Sequence, residues 1–85
     1  MRKMYVPARI EVDVNGAVTP LSIQAGLYGE WLDIVKITES ARKVHLAVGG
    51  IGMRYMCIID YEGIEKELLV FNEGMKWYVL VGDYY

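Results

Sequence analysis

Turn-forming residues recur along this sequence at intervals of one short strand, and this spacing restricts the folds open to the chain. Between the turns, apolar and polar residues mostly alternate, as they do in a strand with one buried face. No segment carries the apolar spacing of an amphipathic helix of useful length. The sequence therefore predicts an all-β protein. The predicted turns are Asn15-Gly16, Ala25–Gly29, the glycine-rich segment 49–52, Glu62-Gly63 and Glu73-Gly74.

A hairpin at the start of the chain is the clearest local prediction. Over Met4–Val14 the even positions are apolar and most odd positions are polar, so we expect one half-buried strand with its even side facing the core. Pro7 has no backbone N–H, which places it on a sheet edge or at a bulge. Asn15 and Gly16 both tolerate positive φ and predict a tight turn, after which Val18–Gln24 returns antiparallel to the first strand.

The segment Met53–Tyr61 is predicted to be the central strand of the sheet. Its apolar residues occupy both sides of the strand, and both sides then need to be covered. The remaining predicted strands are Glu30–Thr38, a short segment over 44–48, Ile64–Asn72 and Met75–Val81.

Six to seven short strands within residues 1–85 are too few for a large sandwich and predict a single small β domain. They can roll into a small antiparallel β-barrel or a strongly bent sheet of the SH3-like or OB-like kind, which removes exposed edges from an apolar sheet. A half-open barrel that dimerises through its remaining edge is the alternative. With 54% hydrophobic residues the chain can build a core, but its single cysteine cannot form an internal disulfide.

The formal net charge of −2 provides no overall attraction for nucleic acid or for an anionic membrane. The apolar segment after the basic start Met1–Lys3 is interrupted at Arg9, before it reaches the length of a signal-peptide core. No apolar run approaches the roughly 20 residues of a membrane-spanning helix. We therefore expect a cytoplasmic protein with no membrane partner, and an unpaired cysteine fits a reducing compartment.

The glycine-rich stretch Ala47–Ile59 has two interpretations. Its backbone N–H groups and the neighbouring basic side chains could hold a phosphate. Phosphate-binding glycine loops precede a helix, whereas this one precedes a predicted strand and matches neither common phosphate-loop pattern. We therefore interpret Gly49, Gly50 and Gly52 as structural glycines of a hairpin turn.

Basic and aromatic residues lie close together in the second half of the chain. Small barrels hold single-stranded nucleic acid by stacking bases on aromatic rings within a positively charged groove. Strand alternation directs Tyr55 away from Arg54 and Trp77 away from Lys76, so core packing of the aromatic rings is the competing interpretation. The candidate binding residues are Arg42, Lys43, Arg54, Tyr55, Trp77 and Tyr78.

The sequence contains no recognisable catalytic or metal-binding set. His45 has no nucleophile or carboxylate near it in sequence that would make it a general base. Cys57 lies in an apolar run, where burial disfavours a thiolate. Acidic residues surround Glu62-Gly63 without the spacing of a calcium-binding loop. We expect no enzyme activity, no cofactor and no bound metal.

Five segments of the chain carry a resemblance to other proteins, namely Pro20–Ile23, Ile34–Ile37, Gly49–Cys57, Leu69–Phe71 and Lys76–Val79. The third has the form GGxGxRYxC, and the last belongs to a terminal aromatic hairpin. On these residues the chain resembles a family of short, uncharacterised bacterial β-proteins frequent in Firmicutes. In that family we expect a tryptophan and charged residues after the position of Ile23, where this chain reads QAGLY. The resemblance implies shared structure and transfers no catalytic or binding residue.

These observations favour a non-enzymatic protein-interaction module whose exposed aromatic side chains contact another protein or a second copy of the chain. The alternative is a small barrel that binds single-stranded nucleic acid through Arg42, Lys43, Arg54 and nearby tyrosines. A third hypothesis places a small ligand at the barrel mouth beneath the glycine turn. Barrels of this size usually fill their interior with side chains, which leaves little room for a ligand.

Overall fold

The computed structural model describes residues 2–39, 42–45 and 51–82. These residues form eight strands and no helix, and the strands join into one antiparallel sheet. The strands are β1 (Arg2–Val6), β2 (Ala8–Val12), β3 (Val18–Gln24), β4 (Trp31–Ile37), β5 (Arg42–His45), β6 (Ile51–Tyr61), β7 (Ile64–Glu73) and β8 (Lys76–Val81). The predicted all-β class is confirmed, and the described part of the chain contains no helix that could cross a membrane.

The sheet has the strand order β1-β8-β7-β6-β4-β3-β2, with β5 paired to β6 beside this path. The two end strands, β1 and β2, are consecutive in the chain but pair with different partners, β8 and β3 respectively. The sheet therefore curls strongly so that its two ends meet at Pro7, and it forms a half-barrel. This confirms the predicted strongly bent antiparallel sheet.

The prediction of one continuous strand over Met4–Val14 is wrong, because the chain is interrupted at Pro7. Proline has no N–H to donate to a ladder and holds φ near −65°, so a strand readily ends there. The carbonyl of Pro7 still accepts a hydrogen bond from the Gln24 N–H at 2.9 Å, which attaches the break to the end of β3.

The predicted central strand is confirmed as β6, which pairs with β4, β5 and β7. On one side its Tyr55, Cys57 and Ile59 are buried in the core. On the other side Met56 and Ile58 remain partly exposed. The expectation that both sides are covered is therefore met on the inner face only.

The core lies inside the curl of the sheet and joins its two ends. Trp77 of β8 packs against Tyr55 of β6 with ring centroids 5.6 Å apart. The Tyr55 hydroxyl donates to the Val18 carbonyl of β3 at 3.1 Å, so this side chain links the centre of the sheet to its far end. The buried apolar residues of the core are Val6, Ile23, Leu32, Tyr55, Cys57, Ile59, Val70, Trp77 and Val79.

The predicted first hairpin is confirmed as the β2–β3 pair, but its turn differs from the prediction. Among the turn residues only Gly16 has a positive φ, of 83°, while Asn15 does not. The Asp13 N–H donates to the Ala17 carbonyl at 3.0 Å, so three residues rather than two form the loop. The Asp13 carboxylate accepts the backbone N–H groups of Asn15 and Ala17 and stabilises this wider turn.

Of the glycines predicted to form the turn over 49–52, Gly49 and Gly50 lie outside the described residues. Gly52 is buried in β6 and pairs with Val44 of β5, so the prediction that it belongs to a turn is wrong. The turn prediction at Glu62-Gly63 is confirmed. Both residues have positive φ, 53° and 83°, as a two-residue hairpin turn matching the twist of its strands requires.

Candidate functional site

Strand β2 forms one end of the sheet, and β3 is the only described strand that pairs with it. On the paired edge, the Pro7 carbonyl accepts the Gln24 N–H and the Asp13 N–H donates to the Ala17 carbonyl. The register shifts between Arg9 and Ile10, where β3 contains one extra residue, Leu21, so the alternation within β2 continues. The odd-numbered residues from 7 to 13 therefore direct their backbone groups towards β3. Ile10 lies opposite Pro20, which has no N–H to donate to it. This agrees with Ile10 directing its backbone groups away from β3.

The other edge of β2 is open with respect to the described strands. The N–H and C=O groups of Ala8, Ile10 and Val12 point away from β3, and no described strand pairs with them. The side chains of Ile10 and Val12 are 42% and 56% exposed. The prediction that the even side of this segment faces the core is therefore wrong for Ile10, Val12 and Val14, because no described strand lies beyond β2 to cover them.

An open groove of about 590 Å³ lies beside this edge. Two buried side chains, Val6 and Trp77, contribute to its lining, while Tyr5 and Ile10 line it as partly exposed side chains. The groove forms where β1 ends at Pro7 and the chain turns away from β8. Its lining residues are Tyr5, Val6, Pro7, Ala8, Ile10, Met75, Lys76 and Trp77.

Met75 lines the groove from the tip of the β7–β8 hairpin. Glu73 pairs with Lys76, which leaves Gly74 and Met75 as a two-residue turn, with Gly74 at a φ of 64°. The Met75 side chain is 99% exposed. A flexible and polarisable thioether in that position can adapt to different partner surfaces.

An ion pair and aromatic contacts fix the outer rim of the groove. Lys3 donates to the Glu73 carboxylate at 2.9 Å, and the Tyr5 hydroxyl donates to the same carboxylate at 3.4 Å. This hydrogen bond raises the pKa of Lys3 and lowers the pKa of Glu73. The Lys76 ammonium lies 5.5 Å from the centre of the Tyr5 ring, so the rim also carries a positive charge.

The odd-numbered side chains of β2 carry opposite charges on the exposed face of the strand. The Arg9 guanidinium lies 4.1 Å from the centre of the Trp31 ring, a contact that orients it. The Glu11 side chain is exposed and forms no ion pair or hydrogen bond with any described residue. One end of β2 is thus basic and the other acidic.

The structure places the predicted aromatic candidates mainly in packed positions. Tyr55 and Trp77 are each 6% exposed and pack on each other. Tyr78 is 5% exposed and stacks on Phe71 at 4.9 Å between ring centroids. Of these three candidates, Trp77 alone reaches the groove.

The predicted basic candidates lie on the neighbouring strands β5 and β6, away from β2. Arg42 and Arg54 are directly opposite each other in the register, and Lys43 is opposite Met53. The Arg54 guanidinium lies 3.6 Å from the Glu39 carboxylate. The structure therefore brings two of the three basic candidates together but separates them from the groove.

The environment of Cys57 does not favour a nucleophilic thiolate. The side chain is fully buried, and burial raises the pKa of its thiol to about 11, so the neutral thiol dominates near pH 7. The described residues also contain no group of three or more His, Cys, Asp or Glu side chains that could hold a metal ion.

Sequence reasoning missed the contribution of Tyr5, Ile10 and Met75 to the groove. Pro7 could have indicated this groove, because a proline that ends one strand allows the next strand to lie at an edge of the sheet. Met75 had no comparable signal, since a methionine beside a turn glycine is equally consistent with a strand residue facing the core.

Comparisons with known proteins returned no matching family model, curated protein or solved structure.

Proposed function

We propose that this chain is a non-enzymatic protein-interaction module that binds an extended segment of its partner along the open edge of β2. The observation that carries this proposal is the juxtaposition of unpaired backbone groups on β2 with the groove beside them. An added strand would form backbone hydrogen bonds with Ala8, Ile10 and Val12. Affinity in this mode comes from the main chain, and specificity comes from the pockets that receive alternate side chains.

The exposed apolar side chains favour a protein partner over a small ligand. Ile10, Val12 and Met75 remain open to solvent where a soluble monomer would usually carry polar groups. A strand bound beside β2 would reduce the exposure of Ile10 and Val12 to solvent. An open groove flanked by a strand edge encloses a small molecule on few sides and suits an extended chain better.

The test of this proposal is the variant Ile10→Pro, compared with Ile10→Thr. Proline removes the outward N–H of residue 10 without removing a hydrogen bond to β3, and edge strands tolerate it. We expect a displayed library of random peptides to yield binders with alternating apolar residues on the wild-type protein. Their binding should fall at least about tenfold on Ile10→Pro, the loss expected from one edge hydrogen bond and its neighbours.

The threonine variant serves as the control, because it keeps the N–H and changes only the side chain. Binders that lose affinity equally on both variants would show that the Ile10 side chain, and not the strand edge, forms the contact. Peptides that bind the proline variant as tightly as the wild-type protein would contradict strand addition. Circular dichroism melting curves establish that both variants fold.

A second candidate function, binding of single-stranded nucleic acid, is favoured by one arrangement on the outer face of the sheet. Arg54 is opposite Arg42 on one side and opposite Phe71 on the other, and Phe71 is opposite Tyr78. Like charges directly opposite each other destabilise a sheet unless an anion lies between them. Basic and aromatic residues therefore share one row of the sheet, although Tyr78 is buried and Arg54 already pairs with Glu39.

If this second function is correct, a fluorescent single-stranded oligonucleotide should bind at low salt and dissociate as the salt concentration rises. Arg54→Gln should weaken binding and reduce the salt dependence by about one phosphate contact. Arg9→Gln is the matched control, since it removes one charge from a different surface. Fluorescence anisotropy that stays flat at low salt would exclude this function.

A further inference from the structure

The charges on β2 are complementary to a second copy of the same strand. Arg9 and Glu11 flank Ile10 symmetrically, and both side chains lie on the exposed face. In an antiparallel pair centred on Ile10, Arg9 of each copy faces Glu11 of the other copy. A two-fold axis between the two Ile10 residues repeats this contact, so the dimer contains two pairs of opposite charge.

We propose that the occupant of the β2 edge is β2 of a second copy of this chain, paired antiparallel with Ile10 opposite Ile10. This inference rests on the proposed function, because it names the partner of the same edge. The pairing would join two half-barrels into one continuous sheet across the dimer and cover the edge that each monomer leaves open.

The backbone geometry of β2 permits this register. The outward N–H and C=O groups belong to Ala8, Ile10 and Val12, which are the residues that must exchange hydrogen bonds in a pair centred on Ile10. Ile10 pairs with its counterpart, and Ala8 pairs with Val12 of the second copy. Arg9 and Glu11 then occupy non-hydrogen-bonded positions, where opposed side chains come closest, with Cβ atoms about 4.5–5.5 Å apart.

The charges on β2 also disfavour the neighbouring registers of the strand pair. A pair centred on Arg9 would place two guanidinium groups opposite each other. A pair centred on Glu11 would place two carboxylates opposite each other, and Arg9 would face Asp13, whose carboxylate already accepts the N–H groups of Asn15 and Ala17. Opposed like charges destabilise a strand pair, so they select the register centred on Ile10. In the monomer the Arg9 guanidinium lies over Trp31 of β4, on the β3 side of β2, so facing Glu11 of the second copy requires this side chain to turn towards the outer edge of β2.

The small size of the contact predicts a reversible dimer. Five residues on each strand, with the groove beside them, bury less surface than the interfaces of most stable complexes. We therefore expect a dissociation constant in the micromolar range, with monomer dominant at nanomolar concentration.

Charge exchange tests both the partner and the register. Arg9→Glu places carboxylates opposite each other twice in a homodimer, and Glu11→Arg places guanidinium groups opposite each other twice. Each single variant should be monomeric at concentrations at which the wild-type protein is dimeric. An equimolar mixture of the two should form a heterodimer, because every facing pair is again of opposite charge, and the double variant should regain the homodimer.

Sedimentation equilibrium of the full chain measures the wild-type protein, the two single variants, their mixture and the double variant, and melting curves establish that each variant folds. Glu11→Arg keeps the contact between Arg9 and Trp31, so a monomeric state of this variant cannot be attributed to the loss of that contact. A wild-type protein that remains monomeric at high micromolar concentration would overturn the dimer. A wild-type dimer whose single variants remain dimeric, or whose mixture stays monomeric, would overturn the register.

Failure of this inference is separable from failure of the proposed function. A monomeric wild-type protein that still selects peptides sensitive to Ile10→Pro binds a different extended partner at β2. A protein that neither dimerises nor selects such peptides lacks strand addition at this edge altogether.

Discussion

Replacing Cys57 with arginine is expected to leave the chain unfolded at room temperature. The cysteine side chain is fully buried on the central strand β6, and no described carboxylate shares its position in the core. A buried, unpaired charge costs several kcal/mol, which is comparable to the total of about 5–15 kcal/mol that stabilises a folded domain. The variant should lack the far-ultraviolet circular dichroism of the native sheet and the dispersed amide signals of a folded protein.

Two variants control for the effect of the substitution itself. Cys57→Ala removes one sulfur atom from the same position and should still melt cooperatively at a lower temperature. Glu65→Arg introduces the same charge on the exposed part of β7, opposite Asp60, and should leave the melting temperature nearly unchanged. A Cys57→Arg protein that melts at the wild-type temperature would show that residue 57 is not in the core.

Replacing Trp77 with alanine is expected to lower the free energy of unfolding by about 3–5 kcal/mol, the usual cost of removing a buried aromatic side chain. Trp77 packs on Tyr55, whose hydroxyl group bonds to β3, so its loss loosens the contact between the two ends of the sheet. Urea unfolding followed by circular dichroism measures the change. The variant should also deepen the groove beside β2, because Trp77 lines it.

Trp77→Phe is the matched control, because it keeps an aromatic ring against Tyr55 and leaves a smaller cavity. Its loss of stability should be clearly smaller than that of the alanine variant. Equal losses in both variants would show that the stability comes from the indole N–H or from contacts outside the Tyr55 pair. A loss below about 1 kcal/mol in the alanine variant would contradict a core position for Trp77.

Local patterns predicted the hairpins well, because alternation and turn residues act over a few residues. The β2–β3 hairpin, the turn at Glu62-Gly63 and the central position of β6 all follow from such patterns. The three-residue loop before β3 was not predictable from Asn15-Gly16 alone. It depends on the Asp13 carboxylate, which accepts two backbone N–H groups and widens the turn.

The candidate site was much less predictable than the fold. Tyr55 and Trp77 are residue types that often form binding surfaces. Their large rings are buried, however, where the curled sheet brings β6 and β8 together. Ile10 had the pattern of a core residue, yet it is exposed because β2 is the last strand. Burial depends on which strands become neighbours, and residues close in sequence carry little information about that.

The sequence by itself determined the all-β class, the turns at Glu62-Gly63 and Glu73-Gly74, and the strand most deeply buried in the sheet. It also placed Arg9, Ile10 and Glu11 in the order that makes β2 complementary to itself. Only the tertiary structure decided that the chain breaks at Pro7, that β1 and β2 on either side of the break lie at opposite ends of the sheet, and that no described strand pairs with the outer edge of β2. The physical reason is that alternation specifies the two faces of a strand, whereas the pairing of its edges depends on non-local contacts throughout the sheet.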